Sequence, residues 1–254
     1  MILISILAAT LAGGLLSVLL AAGIGLTWLA PLAERLLAYA VGMLLGFALV
    51  GLLPEALHLG LEPATQGQVL IAGLLGFFLL EKALLWRHDH SAVGGGKPVA
   101  HAHPPQVWLI VVGDAMHNFV DGVLIAAAFL VDAALGWATA VTVLAHEVPQ
   151  ELGDFVVLLS AGVSRARALA LNALSGLAMV LGGAMGYLAL EGANAVLPYV
   201  LVLAAASFLY IAVADLMPAL NRHCSLRDGM QQFALLLAGV ASVHALQAAL
   251  AHSH

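Results

Sequence analysis

Runs of about twenty apolar residues, separated by short polar breaks, recur along the whole chain, and each is long enough to cross roughly 30 Å of hydrocarbon as a helix. Lipid offers backbone amides and carbonyls no partners, so a chain of this kind must satisfy its own hydrogen bonds span by span. The spans fall at roughly 2–29, 36–58, 67–86, 106–130, 135–160, 166–190, 195–219 and 229–250. The expected fold is therefore all-α, an integral membrane bundle of eight transmembrane helices forming one domain over residues 1–254. Of the residues, 63% are hydrophobic and 9% charged, with a mean hydropathy of +1.06, far from the mixture of a soluble domain. The first stretch is too long for a signal-peptide core and lacks a charged segment ahead of it, so it is expected to be a retained span. Ala30-Pro31, Leu61-Glu62-Pro63 and Leu197-Pro198 mark breaks. The longest connection, about 88–105, contains Gly94-Gly95-Gly96 and reads as flexible.

Charge orients the bundle. Arg35, Lys82, Arg87, Lys97, Arg165, Arg167, Arg222 and Arg227 all fall in alternate connections or within about a turn of them. By the positive-inside rule those connections are cytoplasmic, which puts both termini and the breaks near Glu62, Asp132 and Glu191 outside. The expected location is a cytoplasmic membrane, the inner one in a bacterium, with periplasmic or extracellular termini. The basic residues form no patch, so nucleic acid is not an expected partner. Cys224 is the single cysteine, which excludes an internal disulfide and any thiolate cluster and leaves metal chemistry to N and O ligands.

A charge near the bilayer centre costs at least about 2.5 kcal/mol on insertion scales, so ionisable groups inside spans are functional suspects. Two spans hold most of them. The fourth carries Asp114, His117, Asn118 and Asp121 at i, i+3, i+4 and i+7, one stripe of a helix. The fifth carries His146, Glu147, Gln150, Glu151 and Asp154 within an arc of about 140°. Imidazole, carboxylate and amide together suit a borderline divalent ion such as zinc, whereas an all-oxygen set would suit magnesium or calcium. A metal site between the two helices is the economical reading, because a bound cation offsets the cost of burying carboxylates. Pro149 removes an amide beside these groups, so the fifth helix is expected to kink there.

The strings His117-Asn118-Phe119-Val120-Asp121-Gly122 and His146-Glu147-Val148-Pro149-Gln150-Glu151-Leu152-Gly153-Asp154 resemble the ZIP (ZRT/IRT-like) metal transporters, in the branch whose fifth span reads H-E-x-P-H-E-x-G-D. Phe208 to Ala212 with Asp215 to Pro218, and Leu52 to Ala56, are also similar to family patterns. The resemblance implies a ZIP-like bundle with a binuclear centre between spans four and five. Through it zinc, and in some members cadmium, iron or manganese, would enter the cytoplasm as substrate, with no catalytic cofactor and no enzymatic activity. It further implies one site of His117, Asp121, His146 and Gln150 and another of Asn118, Asp121, Glu147 and Gln150, with Asp121 bridging. A transport unit sliding against a dimerising scaffold is implied as well, making a homodimer the expected assembly.

Three departures bear on those expectations. Gln150 stands where relatives have His or a bridging Glu, so the second site is expected to be weak. In the second span the branch pattern G-D-A-L-L-H-L-L-P-E aligns with 46–55, so Phe47 and Gly51 replace an Asp and a His. Ala145 replaces a Cys that often precedes the fifth-span motif.

Auxiliary metal or pathway roles are assigned to Asp114, Glu151, Asp154, Asp215, Glu55 and His58, and to His88, His90, His101 and His103 of the long loop. His252 and His254 at the C-terminus are weaker candidates. Asn172, Ser175, Gly176, Ala178, Gly182, Gly183 and Gly186 read as close helix packing. Rival functions are an intramembrane metalloprotease, because His146-Glu147 begins like H-E-x-x-H, a metal sensor and a proton-driven metal exporter. Gln150 lies where the protease would need its second histidine, and no segment is long enough for a sensor's output domain.

Overall fold

A computed structural model describes residues 1–25, 30–89, 104–220 and 225–251. Among them all regular structure is helical, in eight rods: α1 (2–25), α2 (30–58), α3 (Pro63–Asp89), α4 (Pro104–Val131), α5 (Ala133–Ser160), α6 (Arg165–Leu190), α7 (197–220) and α8 (Leu226–Ala251). Seven of these are long and apolar enough to cross a membrane. The eighth, α5, has the length at 28 residues, but its hydropathy is lowered by the polar arc from His146 to Asp154. The helix that carries more of the suspected chemistry than any other is therefore the one that looks least like a span.

Sequence punctuation explains the ends. Pro63 opens α3 and Pro198 sits in the first turn of α7, where a missing N–H leaves no intrahelical bond unmade. Asp132 alone joins α4 to α5: it ends one helix in an extended conformation, and its Oδ1 accepts from Ala134 N at 2.8 Å and Leu135 N at 3.1 Å to cap the next. This hairpin makes α4 and α5 antiparallel neighbours. Gly60, Gly162 and Gly192 take positive φ (90°, 82° and 81°) in the turns after α2, α5 and α6.

Three helices carry π-helical turns, at Ala12–Leu16, Phe47–Leu52 and Ile211–Leu216. The last two stand just ahead of Pro54 and Pro218. A wider turn there relieves the clash between a proline ring and the preceding carbonyls. Pro149 behaves otherwise, sitting inside an unbroken α5.

The helices pack as two groups. α4 lies along α6 for much of its length, with α1 and α5 against both, while α2 packs on α7 and α8, and α3 on α7. The groups meet chiefly where α2 and α8 touch α5 and where α7 touches α4. Within the first group glycines let backbones touch: a Cβ on Gly122 would lie 2.0 Å from Met179 O, one on Gly182 2.0 Å from Phe119 O, and one on Gly14 2.2 Å from Gly176 O. The glycines expected to serve packing on the sixth span do so, and the closeness brings the α4 stripe against α6. The buried core is aliphatic and aromatic, with Ile125, Leu201, Phe47 and Phe208 among its fully enclosed side chains.

Candidate metal centre

The polar stripes of α4 and α5 face each other and are buried: Asn118, Asp121, His146, Glu147 and Glu151 have no exposed surface, and Asp114 is 6% exposed. One atom each from His117, Asp121, His146 and Glu147 converge within 4.8 Å of one another. His146 Nε2 lies 3.0 Å from Asp121 Oδ2 and 3.5 Å from Glu147 Oε1, and His117 Nε2 lies 3.7 and 3.3 Å from the same two oxygens. Around a tetrahedral zinc with bonds of about 2.0–2.2 Å, neighbouring ligand atoms stand roughly 3.3–3.6 Å apart. The four separations scatter about that edge length.

None of these atoms has a hydrogen-bond partner within the protein. His117 Nε2, His146 Nε2 and both carboxylate oxygens of Asp121 and Glu147 are buried and unmatched, as are Asn118 Oδ1 and both oxygens of Glu151. Native interiors leave few such groups, and each costs about 1–3 kcal/mol when nothing else satisfies it. Here they collect at one place on two helices, an arrangement that could hold a cation.

The surrounding shell orients the donors. His146 Nδ1 is 3.2 Å from Thr142 O; a carbonyl can only accept, so Nδ1 carries the proton and Nε2 presents a lone pair. The His146 ring packs edge-on against His117, with centroids 5.7 Å apart, and against Phe208 at 5.9 Å. Asn118 Nδ2 donates to Asp114 Oδ1 at 2.9 Å, and Ser175 Oγ donates to Asp114 Oδ2. Asn172 Nδ2 donates to Glu151 O at 3.1 Å. Asn172 and Ser175 thus do more than pack, a role no sequence signal announced, since the partner of a buried hydroxyl depends on which helix lies opposite.

The other expected residues divide. Gln150 is half-buried one turn beyond His146 and Glu147, and Asp154 is half-buried a turn further. Asp215 is exposed and lines, with His117, Phe77, Met116, Ser207 and Tyr210, a cleft of about 150 Å³ between α3, α4 and α7. His117 is 20% exposed there and connects the centre to the cleft. Glu55 and His58 pair with each other at 3.6 Å at the end of α2, apart from the converging group. His88 falls in the last turn of α3, while His90, His101 and His103, like His252 and His254, lie outside the described residues. Phe47 is fully buried against Phe208, with centroids 6.3 Å apart, and a Cβ on Gly51 would come within 2.9 Å of the Phe47 ring. The two second-span departures are thus one exchange: the small residue at 51 makes room for the large ring at 47.

A family model described as ZIP Zinc transporter matches residues 87–247, which include both helices of the candidate centre. The chain belongs to the ZIP family. It is therefore a multi-pass membrane protein of a transporter family rather than an enzyme, which removes the metalloprotease alternative. It is similar to the zinc transporter foi of Drosophila melanogaster, at 37% identity over 62% of this chain and 23% of that protein. Similarity to the mouse metal cation symporter ZIP14 is 45% over 46% of this chain and 24% of that protein. The zinc transporter ZIP13 of Pongo abelii matches more extensively, at 33% identity over 82% of this chain and 64% of that protein. The chain spans about a quarter of the length of the first two.

Proposed function

We propose that this ZIP protein carries divalent metal cations, zinc first, into the cytoplasm through the centre between α4 and α5. The convergence of two imidazoles and two carboxylates, whose facing atoms are buried and without hydrogen-bond partners, carries the reading. Such a set binds several first-row ions and separates them by geometry more than by affinity, so cadmium, iron and manganese are expected to compete with zinc. His117, Asp121, His146 and Glu147 hold the ion, with Asn118 and Gln150 alongside. The names of the relatives, two of them zinc transporters and one a metal cation symporter, agree with this substrate class.

An even number of spans places both termini on one side, and the distribution of Lys and Arg makes that side external. The protein then resides in a cytoplasmic membrane, as a homodimer, with the 88–105 loop inside. The division of the helices into α1, α4, α5, α6 and α2, α3, α7, α8 suits a carrier in which the first group moves the ion against the second.

Purified protein in sealed proteoliposomes of known orientation tests the function. Zinc should enter faster than in protein-free vesicles, and His117→Ala, correctly inserted, should lose most of that flux. Equal flux in the variant would remove His117 from the path; flux running only toward the side of the termini would make the protein an exporter.

A further inference from the structure

Glu147 belongs to a second converging group. One oxygen each from Asp114, Glu147 and Glu151 lie within 4.8 Å of one another, and all three side chains are at least nine-tenths buried. Among the described residues no Lys, Arg or His is paired with Asp114 or Glu151. Both carboxylate oxygens of Glu147 and of Glu151 lack a donor, whereas Asp114 is held in place by Ser175 and Asn118. Three carboxylates crowded together out of water, two of them unmatched, can all stay ionised only if a cation joins them.

We propose that Asp114, Glu147 and Glu151 form a second, all-oxygen cation position that shares Glu147 with the first. The proposal rests on reading the first group as a metal centre. Charge supports occupancy of both: with cations bound to keep them ionised, Asp114, Asp121, Glu147 and Glu151 would carry four negative charges, which equals the charge of two divalent ions. The negative charge that Gln150 does not supply to a second ion is thus present on other residues.

Placement gives the second position a role. Asp114 precedes His117 on α4 by three residues and Glu151 follows Glu147 on the antiparallel α5 by four, so both displacements point to the same end of the hairpin. The second position lies about one helical turn, ~5 Å, from the first. It is nearer the end where Val107, Trp108, Gly162, Val163 and Arg167 line a cleft of about 410 Å³. That is the side assigned to the cytoplasm. Without imidazole, three carboxylates suit harder ions and hold zinc less selectively. An ion passing from the mixed position to the oxygen-only one moves from tighter to looser coordination on its way out.

Cadmium NMR and equilibrium dialysis of Cd2+ on the full chain in nanodiscs test this, because nitrogen-bearing and oxygen-only cadmium sites resonate in different regions. Wild type should bind two equivalents with one signal of each kind. Glu151→Gln and Asp114→Asn, close in size to the originals, should each lose the oxygen-only signal and one equivalent while keeping the other. His117→Ala should do the reverse. A single nitrogen-bearing ion in wild type would overturn the second position and leave the first standing, as would two equivalents retained by both amide variants. Absence of any nitrogen-bearing signal would overturn both readings.

Discussion

Ser175 and Asp114 form the contact on which the α6 side of the centre depends, and neither residue's sequence neighbours reveal the other. Their hydrogen bond joins positions 61 residues apart. Bonds to charged groups contribute about 1.5–3 kcal/mol, and removing one partner leaves the other buried and short of a donor. Ser175→Ala is therefore expected to destabilise the protein by about 1–3 kcal/mol, read as a lower melting temperature in detergent, with part of the loss recovered when Zn2+ is added. A melting curve unchanged from wild type would show that Asn118 alone suffices to hold Asp114. Gln150 makes the complementary case. A carboxylate in its place would stand one turn from Glu147 and add negative charge beside it, so Gln150→Glu should tighten metal binding and slow release. Dialysis and vesicle flux on the same preparation should show higher occupancy with lower turnover; unchanged values for both would place Gln150 outside the coordination sphere.

Elements set the spacing that residues then use. The stripe on α4 reaches α6 because Gly122 and Gly182 let the two backbones meet, and any Cβ there strikes a carbonyl oxygen at 2.0 Å. Backbone cannot step aside as a flexible side chain can, so Gly182→Ala should force the helices apart and cost about 1–3 kcal/mol. Zinc flux should fall with it, because Asp114 and Ser175 separate. Gly76→Ala on α3, where a Cβ meets nothing within 4 Å, is the matched control and should leave melting and flux near wild type. The second span offers a test of paired change. Gly51→His alone would drive a ring into Phe47, while Phe47→Asp with Gly51→His restores the family's polar pair and frees the space. The double variant should melt higher than Gly51→His alone; equal melting would mean that the two positions are uncoupled.

At the scale of the whole molecule the proposed sidedness is tested without mutation through the single cysteine of the sequence. Cys224 lies between Arg222 and Arg227 in the connection of the last two spans. A membrane-impermeant maleimide should leave it unmodified in intact cells and label it in inverted vesicles; labelling in intact cells would reverse the orientation. Much of the molecule was legible beforehand. Eight helices followed from the recurring apolar stretches, seven of them apolar enough to cross a membrane, and several of their ends followed from Pro31, Pro63 and Pro198. The stripe of Asp114, His117, Asn118 and Asp121 and the arc from His146 to Asp154 followed from helical periodicity, which fixes what shares a face within one helix. Periodicity is silent about what stands across from that face. Only tertiary structure grouped Glu147 with His117 and His146, and set Asp114 beside Glu151. It alone brought Ser175 and Asn172 in from α6 and showed Gly51 making room for Phe47. Those pairings depend on the rotation and depth at which helices cross, set by close packing between segments far apart in the chain, and no local pattern encodes them.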